Sequence, residues 1–398
     1  MDDRMLVATV RPKAETLDLL RAIAALSVLA LHIAPLAETL GVHIPGGKLG
    51  NTGVQLFFVL SGYLITHAIL SDSYSERTYL VNRAFRILPA YFFCLLIILL
   101  FRDATPLMTR AGLLDVASHV TFVHGLFKDY RTSLNPVMWT LSIEILYYVV
   151  MLACARGLRH RVASWCIVAA MFVGPLVYRT WMWQAYDEPG QLNFLYKQLP
   201  GMLDHFAFGM AAALLMKQAW FRELMARRVV KSTGLVLGLV GVAVALFLYD
   251  RHPPIDYWYR WYMVILWPLV FCGSAALLMV SLLQFERRLG KAIRLSGLGF
   301  VGVCSYSLYL FHPLVLSAFT RSWKPGQATV SPTLYFAFAV LGVLITSAMC
   351  YFLVERPFMQ VKSRFYAKRP KAPPTDPPTT LTALRKPVDA GELVGSPS

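Results

Sequence analysis

The residues able to do chemistry in this chain are few, and they stand in apolar surroundings. The stretch Leu17 to Leu36, LDLLRAIAALSVLALHIAPL, carries Asp18, Arg21 and His32. A helix of this length and apolarity spans a bilayer. Ionisable groups inside such a helix are costly enough to mark a functional site by default. Arg21 and His32 are eleven residues apart, close to three whole turns, so they share a face and stand roughly 16 Å apart along the axis. Asp18, three residues before Arg21, shares that face. Asp18 and Arg21 read equally as interface anchors or as functional groups, whereas His32, set deeper, reads as functional.

Three more stretches carry candidates. In WTLSIEILYY (139–148), Glu144 lies about seven residues, roughly 10 Å, inside the outer end of a span. His32 is about four residues from the outer end of its own span, so the two fall in one layer. A carboxylate alone at that depth is expensive. Pairing with His32 relieves the cost and orients the imidazole as a proton acceptor. In RAFRILPAY (83–91), Arg83 and Arg86 share a helical face. Such a pair fits a phosphate, which guanidinium binds bidentately, or an ordinary positive anchor. In CSYSLYLFHP (304–313), His312 is a proton-transfer group or a histidine bonded at the bundle rim, and Pro313 frees backbone beside it. Ser142 and Tyr306 are further candidates in these stretches. Cys304, Ser142 and Ser305 could carry a covalent acyl group, but no spacing selects them. Glu355 and Arg356, in ERPF (355–358), read as structural. In GNTGVQLFFVLSGYLI (50–65), Gly50 and Gly53 suit a turn into a helix, and Gly62 suits close approach of a ligand or backbone.

The elements that hold these residues are membrane spans. Of the 398 residues 57% are hydrophobic and the mean hydropathy is +0.54, so the expected fold class is all-α, a polytopic bundle. Ten spans are expected, near 17–36, 54–70, 87–101, 137–155, 162–178, 200–216, 232–249, 261–283, 298–320 and 332–354. Segment 111–127 carries Asp115, His119 and His124 and reads as interfacial or re-entrant. The first run is too long for a signal peptide and lacks its cleavage pattern. The formal charge of +16 sits in short loops between spans, which argues against a nucleic-acid partner. Lys and Arg are more than twice as frequent in the loops sharing the N-terminal side as in the others, so both termini are expected in the cytoplasm. The six cysteines lie in or beside apolar runs and form neither a disulfide framework nor a zinc pattern. Residues 1–360 read as one membrane domain. Residues 361–398, basic and then rich in Pro and Thr, read as a disordered tail whose start lies on anionic lipid.

Taken together and in order, LDLLRAIAALSVLALH, GVQLFFVLSGYLI, RAFRILPAY, WTLSIEILYY, CSYSLYLFHP and ERPF resemble integral-membrane acyltransferase family three, the sugar O-acylating membrane proteins. The likeness covers about residues 15–360. It implies an acyl-CoA donor, commonly acetyl-CoA, on the cytoplasmic side and a hydroxyl acceptor, foremost an envelope or exported sugar, on the far side. It implies His32 as the catalytic histidine, with Glu144 in the motif that partners it. It marks Arg21, Arg83 and Arg86 for the donor, the pair most of all for its phosphates. No metal is required, and the setting is a bacterial inner membrane. Ile145 departs from the pattern, since many relatives carry an aromatic residue after that glutamate. Some relatives also carry a fused hydrolase-like domain, and this chain is read as standalone. The rival from another class is a proton-coupled transporter using Asp18, His32, Glu144 and His312 as a relay. It predicts related halves with matching broken spans, and the sequence shows none.

The loop charges generate a test of orientation. A reporter active only outside the cytoplasm, fused at Gly190, should be active, and a cytoplasm-dependent fluorescent fusion at the C-terminus should be bright. An inactive Gly190 fusion in a stably inserted protein would overturn the span order.

Overall fold

Apolar runs of about twenty residues, broken by Pro, Gly and charge, fold as helices because lipid leaves the backbone no other partner. The computed structural model describes residues 14–44, 46–252, 254–324 and 330–365. In chain order the helices are α1 Glu15–Thr39, α2 Thr52–Ile69, α3 Glu76–Ile97, α4 Arg110–Val120, α5 Trp139–Leu158 and α6 Arg161–Ala185. They continue as α7 Pro189–Tyr196, α8 Leu199–Lys217, α9 Ala219–Ala226, α10 Arg228–Arg251, α11 Pro254–Tyr259 and α12 Trp261–Ile265. The last are α13 Trp267–Leu283, α14 Glu286–Leu295, α15 Leu298–Val303, α16 Ser305–Ser322, α17 Pro332–Cys350 and α18 Arg356–Val361. Among the described residues there is no strand, and nine helical segments are long and apolar enough to cross a membrane. The protein is a polytopic membrane helix bundle.

Most of the expected spans appear as single helices. Those expected over 261–283 and 298–320 are instead each built from two helices, α12 and α13 meeting at Leu266 and α15 and α16 meeting at Cys304. Segment 111–127 forms the short helix α4 and a 3₁₀ turn at His124–Leu126. The tail expected over 361–398 lies, from residue 366 on, outside the described residues.

Helix α1 is the organising element, packed against α2, α14, α15 and α16. Its first turn has backbone N–H groups with no partner inside the helix. The Glu286 carboxylate of α14 accepts from two of them, Glu15 at 2.8 Å and Thr16 at 3.0 Å, and from the Thr16 hydroxyl at 2.6 Å. A carboxylate there also meets the positive end of the helix dipole. The start of α1 is thereby fixed by a residue some 270 positions away.

Small residues bring the other helices close. A Cβ at Gly62 of α2 would collide with the Phe206 carbonyl of α8, and one at Gly209 of α8 with the Val59 carbonyl of α2. These reciprocal contacts are the small-residue packing expected of membrane helices, and Gly62 meets the close approach that the sequence suggests. Gly50 and Gly53 serve the same end, since side chains there would strike the α1 backbone at Ser27 and Ala24. Beside this seam, α6 and α8 share a buried charge. Arg179 donates to Asp204 at 2.5 Å, and His205 Nδ1 donates to the other carboxylate oxygen at 2.7 Å.

Replacing Gly209 by Val must push the α2 and α8 backbones apart, an overpacking cost of roughly 1–3 kcal/mol. Thermal unfolding of detergent-solubilised protein should shift down by several degrees. Gly174→Ala, where the added methyl meets nothing within 4 Å, should leave the transition in place.

Candidate functional site

The three arginines marked by the sequence line one cavity. Its walls include Arg21 of α1, Ser61 of α2, Arg83 and Arg86 of α3, Glu144 of α5 and Tyr306 of α16. It holds about 760 Å³ of space, open solvent at its mouth included. The arginines converge because α1, α3 and α16 meet here, and each is held differently.

Arg21 donates to Asp18 at 2.8 Å, the pair expected from their i, i+3 spacing. Arg86 donates at 3.0 Å to Glu355, whose carboxylate is 2% exposed and also accepts from the Ser307 hydroxyl. Its guanidinium lies 5.8 Å over the Tyr306 ring. Glu355 ends a wide π-helical turn, Tyr351–Glu355, a distortion frequent at functional sites. Arg83 lies 5.9 Å from the Tyr79 ring and 5.6 Å from the Tyr148 ring, and its buried Nε has no hydrogen-bond partner. Among the described residues no acid pairs with Arg83. Of the three cations, it is the one left for an anion.

Glu144 lies in the same cavity. It accepts from Ser61 at 2.9 Å and from Tyr148, one turn along α5, at 2.6 Å. Among the described residues no hydrogen bond or ion pair joins it to His32, which corrects the expected pairing. Depth arithmetic puts the two in one layer but says nothing of the direction each helix faces.

The partner of His32 is His312. Their rings meet edge to face with centroids 4.9 Å apart. Each Nδ1 sits on the carbonyl four residues back, His32 on Val28 at 2.9 Å and His312 on Leu308 at 3.0 Å. A carbonyl only accepts, so in both rings Nδ1 carries the proton and Nε2 the lone pair. Nε2 of the fully buried His312 has no hydrogen-bond partner. His32 is half-buried.

Between the cavity and the histidines lie two rings. Tyr309 is 6.2 Å from His312 on one side and 5.8 Å from Phe57 on the other. Its hydroxyl donates to the Val137 carbonyl at 3.0 Å and lies 2.7 Å from the Thr140 hydroxyl. Phe57, Thr140 and Tyr309 line the cavity, whereas His32 and His312 are not among its walls. Tyr309, with Phe57 edge-on beside it, therefore floors the cavity on the side of His312.

Among the remaining candidates, Tyr306 lines the cavity and donates to the Ile87 carbonyl at 3.0 Å. Ser142 is buried and committed to the Phe122 carbonyl at 2.5 Å, away from the cavity walls. Sequence reasoning missed the parts played by Ser61, Tyr148, Tyr309 and Glu355. The i, i+4 spacing of Glu144 and Tyr148 was a usable signal. The 269 positions separating Arg86 from Glu355 offer none.

Residues 15–352 match the family described as the acyltransferase domain. The chain is 24% identical over 376 residues to the O-acetyltransferase OatA of Staphylococcus aureus, an alignment covering 89% of this chain and 58% of that protein. It is 28% identical over 344 residues to the exopolysaccharide production protein ExoZ of Rhizobium meliloti, covering 81% and 93%. The chain thus spans little more than half the length of the staphylococcal relative. No solved structure matches it.

The Arg86–Glu355 pair generates its own test. Glu355→Gln removes the charge partner of Arg86 and should destabilise the fold by on the order of 1–3 kcal/mol. Glu355→Gln combined with Arg86→Gln should cost less than the sum of the single changes. Additive thermal shifts would mean that the two side chains are uncoupled.

Proposed function

Since the chain belongs to the acyltransferase domain family, we propose that it is a multi-pass membrane O-acyltransferase. It moves an acyl group, acetyl foremost, from acyl-CoA at the arginine mouth to a sugar hydroxyl arriving at His32 from the other face. The observation that carries this reading is the cavity, which runs from three converging arginines to a thin floor below a histidine with a free Nε2 lone pair. The names of the relatives support acetyl as the group and an exopolysaccharide as one class of acceptor. The loop charges support a cytoplasmic arginine mouth, and the bacterial relatives support a bacterial inner membrane as its setting.

In this reading the donor's phosphates dock on Arg83, with Arg21 and Arg86 adding positive field from their ion pairs. The slender thiol-bearing arm lies along the cavity. Glu144, an acceptor with lone pairs to spare beyond Ser61 and Tyr148, takes an amide N–H of that arm. The thioester reaches His32 when the Phe57 and Tyr309 rings part. His32 Nε2 then removes the acceptor hydroxyl proton as its oxygen attacks the thioester carbonyl. The C–S bond breaks as the tetrahedral intermediate collapses, and the imidazolium returns the proton to the departing thiolate. His312 packs against the His32 ring and limits its rotation. The proton-transport alternative gains nothing from a cavity whose charges gather at one mouth.

His32→Ala should lower transfer from radiolabelled acetyl-CoA by on the order of 10²–10⁴-fold, the usual worth of a positioned base, with donor binding retained. Arg83→Ala should instead raise the donor KM roughly ten- to a hundredfold, the value of a charge-assisted contact, and Lys there should rescue only in part. Near-native transfer by the His32→Ala protein would end this mechanism.

A further inference from the structure

On the far side of the floor two cations have no acid. Lys197, just after α7, rests its ammonium 4.7 Å from the centroid of Trp139 at the start of α5. Trp139 adjoins Thr140, whose hydroxyl meets Tyr309 of the floor. Arg131, in the segment before α5, lies 5.4 Å over Phe194 of α7. It spends one Nη on the Asn193 carbonyl at 3.4 Å, and its buried Nε has no hydrogen-bond partner. Neither residue has an acid partner among the described residues.

Two like charges gathered on aromatic faces, partly out of water, cost free energy that an interface anchor has no reason to bear. An anchor extends its charged head into water or among headgroups. Here burial, with Arg131 adding its like charge, pushes the Lys197 ammonium down to about 8. Lys197 connects to the histidines through Trp139, Thr140 and Tyr309, whose ring lies 6.2 Å from that of His312. A compact ammonium beside a guanidinium with an unused N–H edge suits a carboxylate or a phosphate.

We propose that Lys197 and Arg131 form an anion-binding subsite beside His32 that selects an acceptor sugar bearing a carboxylate or other acidic substituent. The subsite rests on the acyl-transfer reading for its purpose, since it holds the acceptor while His32 takes the hydroxyl proton. The same chemistry also fits a lipid headgroup phosphate, and the test separates the two.

The full chain in nanodiscs of neutral phosphatidylcholine is titrated calorimetrically with trigalacturonate and with its methyl ester. The acid should bind at least tenfold more tightly than the ester. Lys197→Gln and Arg131→Gln should each remove most of that difference, with acyl-CoA affinity unchanged as the control for folding. An acid form that binds no better than the ester overturns the proposal, as does a Lys197→Gln protein that keeps the preference. Displacement of trigalacturonate by phosphatidylglycerol in the disc would give the subsite to lipid and overturn it equally. Binding is read without turnover. A protein that prefers the acid yet transfers no acetyl group keeps the subsite and refutes the acyltransferase reading.

Discussion

A charge held away from water must find a partner, and in a bundle surrounded by hydrocarbon that demand arranges most of the polar side chains. Asp18 answers Arg21, Glu355 answers Arg86, and Asp204 answers Arg179. Each pair fixes one piece of the architecture. The first sets the arginine face of α1, the second ties the turn after α17 to α3, and the third joins α6 to α8. Among the described residues, the groups left without an acid include Arg83, the His32–His312 pair, and Lys197 with Arg131.

Much of this was legible in the sequence because helical period and hydropathy are local. The shared face of Asp18, Arg21 and His32 needs nothing beyond residues 17–36, and α1 is one unbroken helix through all three. The close approach at Gly62 was readable for the same reason. What was illegible depends on how helices turn toward one another. Glu144 shares a depth with His32 but is held by Ser61 and Tyr148. Its place beside His32 is taken by His312, a residue the sequence left between two readings. Glu355 read as structural, and it holds in place Arg86, which lines the cavity. The interruption at Cys304 was also hidden, because the hydropathy of 298–320 runs through it.

In the proposed mechanism, the backbone tautomer lock on His32 and His312 prepares a base with little else around it. Each Nδ1 is satisfied by its own helix, so both lone pairs are presented without a neighbouring carboxylate. A carboxylate beside His32 would have added a charge to be neutralised in a dry layer. An aromatic neighbour restricts the ring without that burden.

The floor made by Phe57 and Tyr309 has a consequence of another kind. A bacterial membrane carries a voltage, and each elementary charge crossing it exchanges about 2.3 kcal/mol per 100 mV. A continuous column of water from the arginine mouth to the far face would be a leak that dissipates this store. Two rings meeting edge to face, one pinned through its hydroxyl to Val137 and Thr140, interrupt such a column. In the proposed reaction they would part for the thioester alone and keep the two sides of the membrane electrically apart.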